Sequence, residues 1–140
     1  MRAAWYERTG AARDVLVVGE MLAAEPGPGE VRVALKASGV NPSDVKARGG
    51  SRPMLAPRIV PQSDGAGLIE KVGAGVPANR VGQRVWIWNG QWKRTLGTAA
   101  QFITVPAEQA VPMPDAASAR TLCKIAPCGS HAKMPDIWCR

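Results

Sequence analysis

The chain has 140 residues, 46% of them apolar and 21% charged, and a formal net charge of +7. That length holds one domain with room for a tail, and roughly two-thirds of the unfolded surface can be buried. The composition is ordinary for a soluble globular protein, and no apolar run approaches the ~20 residues of a membrane span.

The N-terminus, MRAAWYERTG, lacks the apolar stretch of a secretory leader. MRAAWYE and Asp14–Met21 (DVLVVGEM) read as opening strands. PGPGE is a turn, after which Val31, Val33 and Leu35 alternate with Arg32, Ala34 and Lys36, the period of two of a half-buried strand. Pro42 opens a short helix over Ser43–Arg48. Leu68, Ile69 and Val72 form the next apolar segment, closed by the Gly73–Gly75 turn. Val81–Val85 runs into a strand at Trp86–Trp88, and Ala100–Val105 is another, stopped by Pro106. Short strands between Gly/Pro turns, with 15 glycines and 12 prolines, argue for a mainly β barrel or sandwich with one or two short helices. Val33, Leu35, Leu68, Ile69, Val72, Val85, Phe102 and Val105 are its expected core. From Ala116 the periodicity ends, so residues 1–115 read as the domain and 116–140 as an irregular tail.

Residues 1–115 carry 14 Lys/Arg and 10 Asp/Glu, and the last 25 residues carry four and one. No dense basic run marks a nucleic-acid surface. Residues 71–107 hold five basic residues and no acid, a candidate anion-attracting surface, although a solvated basic face is the plainer reading. All three cysteines (Cys123, Cys128, Cys139) and the one histidine (His131) fall in the tail. Their spacing is not that of a zinc finger, and the odd cysteine count suits a reduced, cytoplasmic chain.

Two polar clusters stand out, Asn41-Pro-Ser-Asp44 and Gln62-Ser-Asp64, each beside glycines. Alone, each could be a turn whose side chains bond their own backbone. Gly73-Ala-Gly75-Val-Pro-Ala78 matches GxGxxA on paper. Pro77 and Gly82 leave no room for the helix a dinucleotide fingerprint needs, and no acid lies between Glu70 and Glu108 to hold a ribose. Trp86 and Trp88 share one strand face, where they could stack a flat ring or simply pack; Trp92 follows.

Four segments in order, PGPGEVRVALKASGVNPSD (Pro26–Asp44), PQSDGAGLIEKVGAGV (Pro61–Val76), VGQRVWIW (Val81–Trp88) and GTAAQFITVPAEQAVPMPD (Gly97–Asp115), carry a resemblance. The chain resembles the N-terminal, GroES-like domain of the medium-chain dehydrogenase/reductase superfamily, and within it the zinc-free quinone oxidoreductases. The resemblance implies a GroES-like β-barrel forming one wall of a cleft. In that cleft NADPH, held mainly by a separate Rossmann domain, passes hydride to a quinone or electron-poor alkene. It implies catalytic roles for Asn41 and Asp44, cofactor contacts from Asn41, Ser43, Lys46 and Ser63, and a substrate cleft bounded by Asp64 and Trp88. Zinc-containing members place a cysteine in GVCxxD and a histidine in GHExxG; here Asn41 and Ser63 stand there, so no metal is expected.

The resemblance stops near Asp115, where the nucleotide-binding domain would begin, so the chain alone is expected to be idle. A small basic β-barrel acting only as a binding or docking module is the alternative. The expected partners are a small-molecule quinone and a second copy of the chain, not nucleic acid or membrane.

Overall fold

The computed structural model describes residues 1–114. The tail expected over residues 116–140, with Cys123, Cys128, His131 and Cys139, lies outside the described residues. Strand β1 (Arg2–Trp5) is followed by a single helical turn, α1 (Ala12–Val15), and by β2 (Val17–Glu20), which pairs antiparallel with β1. Strand β3 (Glu30–Gly39) leads into α2 (Pro42–Lys46), which widens into a π turn at Ala47–Ser51. Strands β4 (Asp64–Val72), β5 (Arg84–Ile87), β6 (Phe102–Pro106) and β7 (Ala110–Pro112) complete a five-stranded antiparallel sheet of order β6-β3-β4-β5-β7. That sheet curls into a half-barrel. No helix among the described residues is long and apolar enough to cross a membrane.

The concave face holds the core: Val31 and Val33 of β3, Ile69 of β4, Val85 and Ile87 of β5, Ile103 and Val105 of β6, and Ala110 of β7. Successive side chains of a strand point to opposite faces, so the register decides which residues enter. Val33 lies opposite both Ile69 and Ile103, and all three are buried. Leu68 and Phe102, expected in the core, lie on the outer face, because each is adjacent to a residue that points in. Leu68 pairs with Ala34 and Arg84 and is 36% exposed. Phe102 is half-buried beneath the Arg32 guanidinium, 5.7 Å from its ring centroid. Val72 faces inward although it lies three positions beyond Ile69. A bulge at Glu70 brings Val72 opposite Val31 while Ile69 stays opposite Val33. Leu35 and Val72 pack on the core only partly buried.

Two smaller apolar clusters lie apart from this core. Trp5, Ala3 and Val60 form one, and Tyr6, Val15 and Ile59 the other. Single bridges Ala3 to Ala100, Tyr6 to Ile59 and Val60 to Leu96 join these segments to the remainder of the chain. The strand expected over Asp14–Met21 is shorter, because α1 takes up Asp14 and Val15. That turn lets Val15 reach Tyr6 and Ile59. The helix opens one residue earlier than expected, with Pro42 at its first position, where a fixed φ and a missing N–H are harmless. The Gly73–Val76 turn precedes only a 3-10 turn at Ala78–Arg80. A Cβ on Gly73 would lie 1.8 Å from the Gly27 carbonyl oxygen, so close backbone packing explains this glycine.

Candidate active site

The two polar clusters meet because β3 and β4 are antiparallel neighbours. The register places Gly39, the last residue of β3, opposite Asp64, the first of β4. The segments following one strand and preceding the other therefore share one end of the sheet. There the Asn41 side chain donates from Nδ2 to Asp64 Oδ2 at 2.5 Å, and the Asn41 backbone N–H donates to Asp44 Oδ2 at 2.7 Å. One asparagine thus links two acids that are only 6% and 7% exposed.

Burial sets their proton affinity. Desolvation pushes the Asp44 carboxyl up to about 6, and the nearby Asp64 charge pushes the same way. The Asn41 N–H and, more weakly, the Arg52 guanidinium oppose them. Asp64 is also raised by burial, against the Asn41 amide and the Asn89 backbone N–H that bond it. Two buried carboxyls this close favour states in which one keeps a proton.

A second layer holds these groups. Thr98, fully buried, donates from its hydroxyl to the Asp64 carbonyl at 2.8 Å and lies 2.7 Å from the Ser38 hydroxyl. Ser38 is also hydrogen-bonded to Gln62 Oε1. Gln62 adopts φ +78°, a region that non-glycine residues enter at a cost of order 1–3 kcal/mol. The chain across it explains how this is held: Thr98 N–H bonds the Gln62 carbonyl, Gly97 N–H bonds Val60, and Ala99 N–H bonds Pro61. A Cβ on Gly97 would lie 2.2 Å from the Gln62 carbonyl, so only glycine permits this approach.

A cavity of about 440 Å³ opens over the acid pair. That volume lies within the range of small-molecule sites. Asn41, Ser43, Asp44, Ser63 and Asp64 form its polar lining. Tyr6, Met54, Leu55, Ile59 and Trp92 supply apolar and aromatic lining, and Arg52 and Lys93 add positive charge. Two expected residues are absent from that lining. Lys46 is exposed two residues beyond Asp44, so the helical rotation turns it to the far side of α2. Trp88, 41% exposed, sits just past the end of β5, its carbonyl bonded by the Gln109 amide. Trp92, four residues on, does line the cavity.

The basic stretch 71–107 supplies only Lys93 to the cavity. Lys71 pairs with Glu25, Arg80 bonds the carbonyls of Ala107 and Ala110, and Arg94 bonds Gln109. Tyr6, Arg52 and Ile59 went unnoticed in the sequence. No motif marks them, and they arrive through the Tyr6–Ile59 bridge and the connector between α2 and β4. Residues 1–114 contain no cysteine or histidine, and among the described residues no group of three or more metal-ligating side chains occurs.

Comparison with known proteins places this geometry in a family. The family profile of the alcohol dehydrogenase GroES-like domain matches residues 27–115. The synaptic vesicle membrane protein VAT-1 homolog of Rattus norvegicus is 36% identical over 94 residues, 65% of this chain and 22% of that protein. The quinone oxidoreductase of Salmonella typhimurium is 37% identical over 105 residues, 75% of this chain and 31% of that protein. The crystal structure of Escherichia coli quinone oxidoreductase complexed with NADPH superposes with a TM-score of 0.81 at 27% identity, covering 89% of this chain and 36% of that one. The chain thus spans less than a third of the length of these curated relatives. With the profile matching well over half of its residues, the protein belongs to the alcohol dehydrogenase GroES-like domain family.

Proposed function

We propose that this domain forms the substrate-orienting wall of an NADPH-dependent, zinc-independent reductase acting on quinones or related electron-poor alkenes. The carrying observation is the Asn41-bridged acid pair, buried in the lining of a cavity that also carries apolar and aromatic side chains. A flat ring with polar edges matches such a space: its faces meet Ile59, Leu55 and Trp92, and its oxygens meet the polar lining.

The lining also fits the nicotinamide end of the cofactor, whose carboxamide needs both donors and acceptors. Asn41, Ser43 and Ser63 supply them, while Arg52 or Lys93 suits a phosphate at the edge. When bound, the dihydronicotinamide supplies the hydride. Hydride addition leaves negative charge on a substrate oxygen, and that oxygen must then gain a proton. Asp44, with its carboxyl raised to about 6, holds a proton in about one molecule in ten at pH 7 and can release it into the cavity. Asn41 fixes the direction of both carboxyls. The apolar lining excludes water and confines the ring.

The salmonella and coli relatives, named as quinone oxidoreductases, support the reaction class; the coli structure's NADPH supports the cofactor. Among the described residues no glycine turn followed by a helix is built to hold a pyrophosphate, so the chain alone should oxidise NADPH negligibly. Binding of the ring is the direct test. Duroquinone, which has no free ring carbon to react with thiols, should quench tryptophan fluorescence of the 140-residue chain, mostly through Trp92. Asn41→Ala should weaken that binding. A quinone that fails to bind, or binds Asn41→Ala equally well, would sink the reading.

A further inference from the structure

Tyr6 is the one tyrosine of the chain, 4% exposed, and it lines the same cavity as the acid pair. Its backbone is clamped by two hydrogen bonds to Ile59, each 2.9 Å. Its ring packs with Val15 and Ile59. The ring therefore has little freedom to turn. Among the described residues no group hydrogen-bonds its hydroxyl, yet no buried side-chain polar atom there lacks a partner. The hydroxyl therefore keeps some exposure, and the cavity is the surface that Tyr6 lines. A phenol held this rigidly and left unpartnered normally has a ligand or water to bond. Its surroundings keep it a donor. Burial raises its proton affinity, and although Arg52 and Arg48 lower it, the balance favours the neutral phenol.

We infer that the Tyr6 hydroxyl donates a hydrogen bond to the carbonyl oxygen of the bound quinone or enone, fixing and polarising it in the cavity that the acid pair lines. The inference rests on the proposed function, since it needs a carbonyl compound in the cavity. Asp44 and Tyr6 line the same cavity, so the two groups address one region. Tyr6 binds and withdraws electron density from the carbonyl; Asp44 supplies the proton once the oxygen carries charge. A neutral donor preorganised among apolar side chains is the form expected of a polarising group.

Infrared difference spectra of duroquinone bound to the full chain test this. In the wild type the carbonyl stretch should shift to lower frequency. In Tyr6→Phe, which keeps the ring and its packing, the shift should vanish and affinity should fall about five- to tenfold, the worth of one neutral hydrogen bond. In Asp44→Ala the shift should remain. A Tyr6→Phe chain that retains shift and affinity overturns the inference while leaving the proposed function standing. A shift lost only in Asp44→Ala assigns the donor to Asp44 and overturns it as well. Failure of duroquinone to bind the wild type removes both.

Discussion

The apolar core of the half-barrel and the polar site at the Asp64 end of its sheet are both buried, but by different means. In the core Val31, Val33, Ile69, Val85, Ile87, Ile103 and Val105 meet with no polar side chain among them. In the site Asp44, Asp64 and Thr98 are also buried and are tied by short, directed hydrogen bonds. The same strand pair, β3 and β4, runs through both. Apolar burial is non-directional and tolerates any side chain of suitable volume. A buried carboxyl must have its partners in place, or it stays protonated. Stability is thus concentrated where the pair is apolar, and chemistry where it is not.

The largest effect should come from breaking the apolar core. Ile87 is fully buried within it, paired with Gly65 and Ala110. Ile87→Ala removes three carbons and leaves a cavity, which costs about 2–5 kcal/mol. Urea unfolding measures it. A loss under about 1 kcal/mol would show that the core is loosely packed and that the contrast is overstated.

The polar end should respond to pH instead. Asp44 titrates near 6 in the folded chain and near 3.8 when unfolded, so folding favours its protonated form. Its contribution is full below pH 4 and is lost as pH rises through about 6, a difference on the order of 2–3 kcal/mol. Asp64, also raised, acts in the same direction. Asp44→Asn keeps an acceptor for the Asn41 N–H but has no charge to bury. It should gain on the order of 2 kcal/mol over the wild type at pH 7.5 and nothing at pH 4. Parallel stability profiles from pH 4 to 7.5 would mean that Asp44 ionises freely.

Thr98→Val probes the second layer. The substitution preserves shape but strips the donor from the buried Asp64 carbonyl and a partner from Ser38. An unsatisfied buried group costs about 1–3 kcal/mol. Because the lost contact also orients Asp64, duroquinone affinity should fall with stability. A variant as stable as the wild type would show the layer to be dispensable.

How far the sequence reveals all this follows from range. Alternation along Val31–Leu35 places a strand and its inward face, because the information is local. Asn41, Ser43, Asp44, Ser63 and Asp64 were recognisable through motif resemblance. Their meeting depends on the Gly39–Asp64 register, which no local pattern states. Tyr6 reaches the cavity through long-range packing and carries no signal of its own. Lys46 and Trp88 were expected through the resemblance alone, and neither lines the cavity: Lys46 is turned away by the rotation of α2 and Trp88 lies past the end of β5. Leu68 and Phe102 show a narrower failure: an apolar residue beside an inward-pointing one must point out.

That last point yields the smallest and sharpest prediction. Leu68 and Ile69 are adjacent and both apolar, yet the register places Leu68 against Ala34 and Arg84 outside and Ile69 against Val33 inside. Threonine suits a strand at either position. Leu68→Thr should therefore change stability by only about 0.5 kcal/mol, as expected of a partly exposed site. Ile69→Thr buries a hydroxyl beside Val33 and removes apolar volume, so its loss should be several times larger. The ratio of the two depends on the pairing more than on the host's overall stability. Urea unfolding of both variants in one buffer gives that ratio. Equal losses would place Leu68 in the core, move the bulge away from Glu70, and shift the facing of every β4 residue between the bulge and Asp64.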